Sequence, residues 1–308
     1  MTEISVLVPI LNEEKNILPL WAVLCPVLGN LGKAYEVIFI DDGSTDGSFN
    51  VLFELSLDNP QIKVIRFMRN FGQTAAIAAG VDHAQGGVII LMDGDLQNDP
   101  QDIPNLLKNI DAGYDVVSGW RRKRQDPFLS KKLPSYLANR LISLVTGIKL
   151  HDFGCTLKAY RSEAIKKINF YGEIHRFLPV IVSNLGYSVI EIEVAHHKRP
   201  SGKSKYGLSR IFRVILDLPI LFFSQNYSLR PNYMFGGWGF ILVFVSGLSF
   251  VWTTFYQIQR GILFSLAIFT IGIQLFLLGL ILEMIIRMHS EATSKKTYVI
   301  KTIINSGQ

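Results

Sequence analysis

Cysteine is scarce: Cys25 and Cys155 are the only two in 308 residues. That excludes a disulfide-stapled scaffold and, with no CxxC pair, a zinc knuckle. Charge is sparse as well, 18% of residues against 49% hydrophobic, and the mean hydropathy of +0.27 is too high for a disordered or purely soluble chain. Acidic residues are outnumbered, 25 against 31 Lys and Arg, and the resulting net charge of +6 suits an anionic partner. That partner is a nucleic acid, a phosphorylated metabolite or an anionic membrane face. No GxGxxG follows the first strand candidate, and no GxxxxGK precedes a Ser or Thr anywhere. A dinucleotide-binding Rossmann site and a P-loop are both disfavoured.

The apolar residues are concentrated near the C-terminus. Tyr233–Gln257 contains no charged residue, and after Ile258, Gln259, Arg260 and Gly261 neither does Ile262–Leu282. Each run exceeds the roughly 20 residues that cross a bilayer as a helix. Tyr233, Trp238, Trp252 and Tyr256 stand where interfacial aromatics belong. Arg210, Arg213 and Arg230 precede the first run, Arg287, Lys295 and Lys296 follow the second, and the connecting loop has Arg260 alone. Positive-inside reasoning therefore predicts a multi-pass membrane protein of two spans, with both ends cytoplasmic. Met1-Thr2-Glu3 runs straight into a strand-like ISVLVPI, in keeping with a cytosolic start. The expected division is a cytosolic domain at 1–200, juxtamembrane interfacial helices at 201–231, two transmembrane helices at 232–288 and a cytosolic tail at 289–308. Gly236, Gly237 and Gly239, or Gly272 and Gly279, offer small faces for packing between subunits.

In the first 200 residues, β-branched runs at Ile4–Ile10, Tyr35–Ile40, Ile62–Phe67, Val88–Met92 and Asp115–Gly119 alternate with helix-length amphipathic stretches. The helices fall at about 13–28, 45–57, 73–84 and 100–112, the last with Asp99 as N-cap and Pro100 at its first position. The alternation predicts an α/β fold with a doubly wound, mostly parallel sheet. Ligands of such sheets bind beyond the carboxyl ends of the strands. Those ends carry Leu11-Asn12-Glu13-Glu14, Asp41-Asp42-Gly43-Ser44-Thr45-Asp46-Gly47, Asp93-Gly94-Asp95-Leu96-Gln97 and Arg121-Arg122-Lys123-Arg124. Carboxylates invite a divalent metal and the basic cluster invites phosphate. The cations sit in loops and beside the apolar runs rather than along one recognition helix, which disfavours nucleic acid.

VPILNEE at 8–14, DDGSTDG at 41–47, RNFGQTAA at 69–76, MDGDLQNDP at 92–100 and SGWRRKRQDP at 118–127 together resemble glycosyltransferase family 2. HDFGCTLKAYR at 151–161, GEIHRFLP at 172–179 and KRPSGKSKYG at 198–207 extend the likeness over the whole N-terminal part. Members of that family share the GT-A fold. Within it the chain is most similar to polyprenyl-phosphate hexosyltransferases, the group of dolichyl-phosphate mannose synthases and bacterial undecaprenyl-phosphate glucosyltransferases. The resemblance implies that Pro9, Asn12 and Glu14 border the nucleotide and that Asp42, with Asp41 beside it, accepts from the base. It implies that Asp93, Asp95 and Gln97 hold Mg²⁺ or Mn²⁺ and the diphosphate. Arg122, Arg199, Lys203 and Lys205 become cations for diphosphate and lipid phosphate, and Asp152 a residue near the reacting centre. The absence of a Q-x-x-R-W motif speaks against a processive polysaccharide synthase.

The implied reaction is inverting transfer of a hexose from a nucleoside-diphosphate sugar, with UDP-glucose favoured over GDP-mannose or a modified sugar, to a polyprenyl phosphate at the lipid bilayer. A phosphate monoester with a second pKa near ~6 is already largely ionised. Asp95, Gln97 and Asp152 are therefore the expected catalytic set, with Asp152 a positioning residue or weak base. Residues 127–145 and 205–223 mix basic and apolar residues as interfacial helices do. Glu173, His175 and Arg176 are open between acceptor contact and helix capping. His151 is expected to be structural, and His196 and His197 are poor metal candidates beside the carboxylate motif. Another lipid or glycan acceptor, a homo-oligomer, and a non-catalytic nucleotide-sugar-binding partner of a flippase are the other readings.

Overall fold

The computed structural model describes residues 2–122, 139–140, 142–143, 146–170, 174–197, 232–257, 259–292 and 298–305. Two compact units emerge, Met1–Val214 with Lys296–Gln308, and Ile215–Lys295. Arg199, Lys203, Lys205, Glu173, the flanking cations Arg210, Arg213, Arg230, Lys295 and Lys296, and most of the two interfacial candidates lie outside the described residues.

In the first unit β1 (Ile4–Ile10), α1 (Glu14–Gly29), β2 (Tyr35–Asp41), α2 (Ser48–Asp58), β3 (Ile62–Phe67), α3 (Gln73–His83) and β4 (Val88–Leu91) follow the predicted alternation within a few residues. Asp99 accepts from the Gln101 amide at 2.9 Å, and Pro100–Asp102 form a 3₁₀ turn before α4 (Ile103–Asp111). Then come β5 (Val116–Trp120), β6 (Lys158–Arg161), the short α5 (Ser162–Ile165), α6 (Leu178–Asn184) and β7 (Val189–Glu193). The eight-stranded sheet has the order β7-β5-β6-β4-β1-β2-β3-β8, with β8 at Ile300–Asn305. The four pairings β1–β2, β1–β4, β2–β3 and β5–β7 are parallel, whereas β6 runs antiparallel to β4 and β5.

Both faces of the sheet are apolar, as a parallel sheet covered by helices requires. Val6, Val8 and Ile10 of β1 join one core with Leu24, Phe39 and Leu107. Leu7 points to the other, with Ile38, Ile40, Ile77 and Leu178. The split follows the two-residue side-chain period of a strand.

The last strand corrects the expectation of a separate tail. Ile300–Asn305 pairs antiparallel with β3, Lys63 facing Asn305 and Phe67 facing Ile300. The strand IKTIIN covers the sheet edge that β3 would otherwise expose.

The second unit is a helical hairpin, α7 (Asn232–Phe255) and α8 (Gln259–Ala292). Phe235–Phe255 and Gln259–Leu282 are long and apolar enough to cross a membrane, and only 17% of each window is buried. A core helix of a soluble protein would be covered; Phe244, Val251, Leu263 and Phe264 instead point outward. Gly239 and Gly272 lie against each other's helix, where a methyl group on either would meet the other's carbonyl oxygen within 3 Å. These two glycines therefore serve the contact within the hairpin rather than between subunits. Ser249 and Ser265 add a hydroxyl contact of 2.8 Å across it.

Candidate active site

Strand order brings the predicted strand ends to one rim. Because β6 is antiparallel between β4 and β5, the residues that lead into it, 152–157, lie at the same rim as Asp93 after β4 and Arg121 after β5. Along this edge the chain presents Arg121, the 152–156 turn, Asp93, Asn12 and Asp42.

At one end two loops are stitched together. The Asn12 side-chain oxygen accepts from the Thr45 amide at 2.8 Å, and the Asn12 amide donates to Ser44 Oγ at 3.0 Å. Glu14 accepts from the Gly47 amide at 3.1 Å and Glu13's amide donates to Ser48 Oγ at 2.9 Å. Asn12 takes a positive φ of 52°, a conformation asparagine tolerates better than most residues. Pro9, half-buried in β1 opposite Ile40, carries this loop. Asp41 is fully buried; it accepts from the Ser44 amide at 2.9 Å and lies 3.5 Å from the Arg66 guanidinium. Asp42 accepts from the amides of Phe71 and Gly72 at 2.7 and 3.0 Å. Burial raises the Asp42 pKa, against the lowering effect of these two amides. Gly43 has φ +71°, and a β-carbon there would overlap the Arg69 backbone, so glycine is required.

In the middle, both oxygens of Asp93 are taken by neutral donors, Gln73 Nε2 at 2.9 Å and Thr156 Oγ1 at 2.6 Å. Asp95 accepts from the Gln97 amide at 3.2 Å, across Leu96 with φ 61°. The loop is held from below: Asn98 accepts from the Asp93 amide at 3.2 Å, and His197's amide donates to the Gln97 carbonyl at 3.0 Å. His197 Nε2 meets Asp99 at 2.9 Å, so that imidazole is engaged in fixing the loop. Among the described residues no three His, Cys, Asp or Glu side chains gather closely enough to hold a metal by themselves. Asp93, Asp95 and Gln97 offer oxygen ligands, which suit a hard divalent cation that takes further oxygens from a bound phosphate.

At the other end Arg121 and Asp152 form a buried two-point ion pair, Nε to Oδ2 at 2.7 Å and Nη2 to Oδ1 at 2.9 Å. Asp152 is 2% exposed. Burial opposes the charge on Arg121, but the adjacent Asp152 carboxylate more than offsets it and raises the Arg121 pKa. The Arg122 singled out from sequence points elsewhere: it is exposed, pairs with Glu193 and lies over the Trp120 ring at 5.5 Å. His151 stacks on Trp120 at 4.3 Å. His175 bonds Thr74 Oγ1 at 2.8 Å, beside Gln73.

Four contributors escape sequence reading. Glu191 accepts from the His151 and Asp152 amides at 3.0 and 2.9 Å and so sets the turn that carries Asp152. Thr156 and Gln73 orient Asp93. Lys158, 2% exposed, donates to the Phe153 carbonyl at 3.0 Å, and burial lowers its pKa to about 8. Gln73, Thr156 and Lys158 lie inside stretches that carry the family resemblance, whereas Glu191, 39 residues from Asp152, leaves no local signal; a lysine in a strand ordinarily reads as a surface residue.

An α/β sheet of this order, with an Asp-x-Asp loop after its fourth strand and an antiparallel sixth strand, defines a GT-A-type domain. Residues 5–169 match glycosyl transferase family 2. The chain belongs to that family. It is 38% identical over 315 residues to the dodecaprenyl-phosphate galacturonate synthase of Rhizobium johnstonii, covering 98% of this chain and 93% of that protein. It is 35% identical to the undecaprenyl-phosphate 4-deoxy-4-formamido-L-arabinose transferase of Shewanella sediminis, covering 98% and 92%. Among solved structures, glucosyl-3-phosphoglycerate synthase from Mycobacterium tuberculosis, in complex with Mn²⁺ and uridine-diphosphate-glucose, has the same fold. It superposes with a TM-score of 0.54 at 18% identity, over 73% of this chain and 79% of that one.

Proposed function

We propose that this chain transfers a sugar from a nucleoside-diphosphate sugar to a polyprenyl phosphate at a membrane surface. The observation that carries the reading is the rim itself: an oxygen-donor loop at Asp93–Gln97 beside the buried Arg121–Asp152 pair, in one chain with two exposed apolar helices. The two relatives, alike over nearly their whole length, are named for sugar transfer onto polyprenyl phosphates.

The chain's own residues divide the work. Asp42 and the stitched 11–14 and 41–48 loops form the nucleotide end. Asp95, with Asp93 and Gln97, would hold Mg²⁺ or Mn²⁺, which when bound offsets charge on the departing diphosphate. Gln73 and Thr156 hold the Asp93 carboxylate in place. Arg121 supplies positive charge where two anions must approach. With both oxygens engaged by Arg121, Asp152 acts as a positioning residue rather than a base, and the lipid phosphate attacks in its ionised form with inversion. Arg199, Lys203 and Lys205 are carried as cations for diphosphate and acceptor phosphate, and Arg122, paired with Glu193, is dropped from that set. Two membrane crossings return the chain to the side it left, and β8 pairs with β3 of the first unit. That same-side arrangement supports a reading in which, by the Lys and Arg flanks, the domain and the C-terminus both face the cytoplasm.

UDP-glucose is the donor implied by the resemblance, while the relatives are named for a galacturonate and a formamido-arabinose. The test is label transfer to undecaprenyl phosphate by purified protein, with UDP-glucose, UDP-galacturonate and GDP-mannose in parallel and each with and without chelator. Metal-dependent label in a mild-acid-labile lipid phase from one donor supports the reading and names the sugar. Donor binding with no labelled lipid from any of the three points to another acceptor or a non-catalytic partner.

A further inference from the structure

The strand that follows the apolar hairpin does more than cover an edge. Tyr298 is buried and donates its hydroxyl to Asp82 of α3 at 2.6 Å. Its ring stacks on Phe67, the last residue of β3, at 5.3 Å. Phe67 in turn meets the edge of Phe71 at 5.7 Å, and Phe71 donates its amide to Asp42 at 2.7 Å. One residue on, the Val299 carbonyl accepts from the Met68 amide at 3.1 Å, where the β3–β8 register shifts between Arg66 and Phe67. The 68–72 loop is thus gripped at its root by the tail and at its tip by Asp42, and Gly43 packs directly against its Arg69.

Asp82 sits one residue from the carboxyl end of α3, where the helix dipole disfavours a negative charge. A phenol donating to it relieves that conflict and ties α3 to the tail. Phe67 and Tyr298 together fill the space between strand and helix.

We infer that Tyr298 and β8 are positioning elements for the nucleotide loop: by clamping Phe67, Met68 and Asp82 they hold the Phe71 and Gly72 amides on Asp42. The inference rests on the reading of Asp42 as part of the nucleotide end. It gives the C-terminal strand, which the sequence presents as a tail, a part in donor affinity.

The test uses the full-length protein in lipid nanodiscs, with UDP as probe. Tyr298→Phe keeps the ring and removes one hydrogen bond, so it should raise the UDP Kd and the donor KM by about three- to ten-fold. It should leave kcat and the acceptor KM within two-fold and speed hydrogen exchange at the Phe71 and Gly72 amides. Asp82→Asn keeps an acceptor oxygen and should stay near wild type, whereas Asp82→Ala should match Tyr298→Phe, with no further loss in the double variant. Deletion of 296–308 should exceed both. Unchanged donor KM and unchanged exchange in Tyr298→Phe would overturn the inference. So would an equal loss in donor KM, acceptor KM and kcat, which marks general unfolding. Asp42→Ala separates the premise: unaltered UDP binding in that variant removes the nucleotide reading, and the clamp's role in donor affinity with it, whatever the exchange rates show.

Discussion

The two ends of the catalytic rim are ordered by different physics. At the end proposed for the nucleotide, carboxylates and amides are satisfied by backbone groups and small hydroxyls: Asp42 by Phe71 and Gly72, Glu14 by Gly47, Asn12 by Thr45. At the Arg121 end, proposed as the acceptor end, order comes from buried charge, with Arg121 against Asp152 and the buried Lys158 nearby. Backbone-ordered loops fail in small steps as single bonds are lost. A buried ion pair fails at once, because removing one partner strands the other. The nucleotide end should therefore tolerate substitution and the acceptor end should not.

The sharpest break is Asp152→Ala. It leaves the Arg121 guanidinium buried without its partner, and unfolding should become easier by about 3–5 kcal/mol. Asp152→Asn keeps one acceptor and should cost less. Denaturation of the two variants side by side checks this, and equal, small losses would mean the pair is more hydrated than its burial implies. Asp95→Asn comes next and acts on rate: kcat should fall by on the order of 10²–10³ with little change in stability. If Asp152→Asn, with donor binding intact, abolishes turnover as fully as Asp95→Asn, then Asp152 takes part in chemistry and is not only a positioning residue.

Lys158 sharpens the comparison through pH. Its native pKa of about 8 lies below the ordinary 10.5. Between these values the unfolded chain keeps a proton that the native state has released, so this group's contribution to stability rises with pH across that window. Below pH 8 both states are protonated and the cost of burying the charge is felt in full. Relative to Lys158→Met, the wild type should gain about 2 kcal/mol between pH 7 and pH 9.5, at roughly 1.4 kcal/mol per pH unit. Thermal unfolding of both proteins at the two pH values measures the difference. A constant offset would place Lys158 in a wetter setting.

What the sequence made legible follows the same division. Strand ends at Asp41-Asp42 and Asp93-Gly94-Asp95 were readable because β-branched runs stop abruptly at acidic turns, a local signal. The 100–111 helix was readable from Asp99 and Pro100. The choice between Arg121 and Arg122 was not, since the two are adjacent and only the geometry of the strand exit decides which side chain turns inward. Glu191 acts on a turn 39 residues away, which leaves no local mark, and the burial of Lys158 in a strand is set by neighbours that its own sequence does not name. The order β5-β6-β4 and the return of Ile300–Asn305 to β3 are hidden for the same reason: a short β-branched run says nothing of the strand it pairs with.

The smallest effect probes the nucleotide end directly, at Asn12. Two features coincide there, a positive φ of 52° and the bonds to Thr45. Asn12→Gly relaxes the backbone demand and removes only the side-chain bonds, so it should cost about 0.5–1.5 kcal/mol. Asn12→Ala removes the same bonds and also forces a β-carbon into the left-handed region, adding about 1 kcal/mol. The gap between glycine and alanine in denaturant unfolding therefore isolates backbone strain from stitching. Equal costs would mean that the 11–14 loop relaxes to negative φ once Thr45 is released, and that the hydrogen bonds, rather than the chain's own conformation, hold this end of the rim in place.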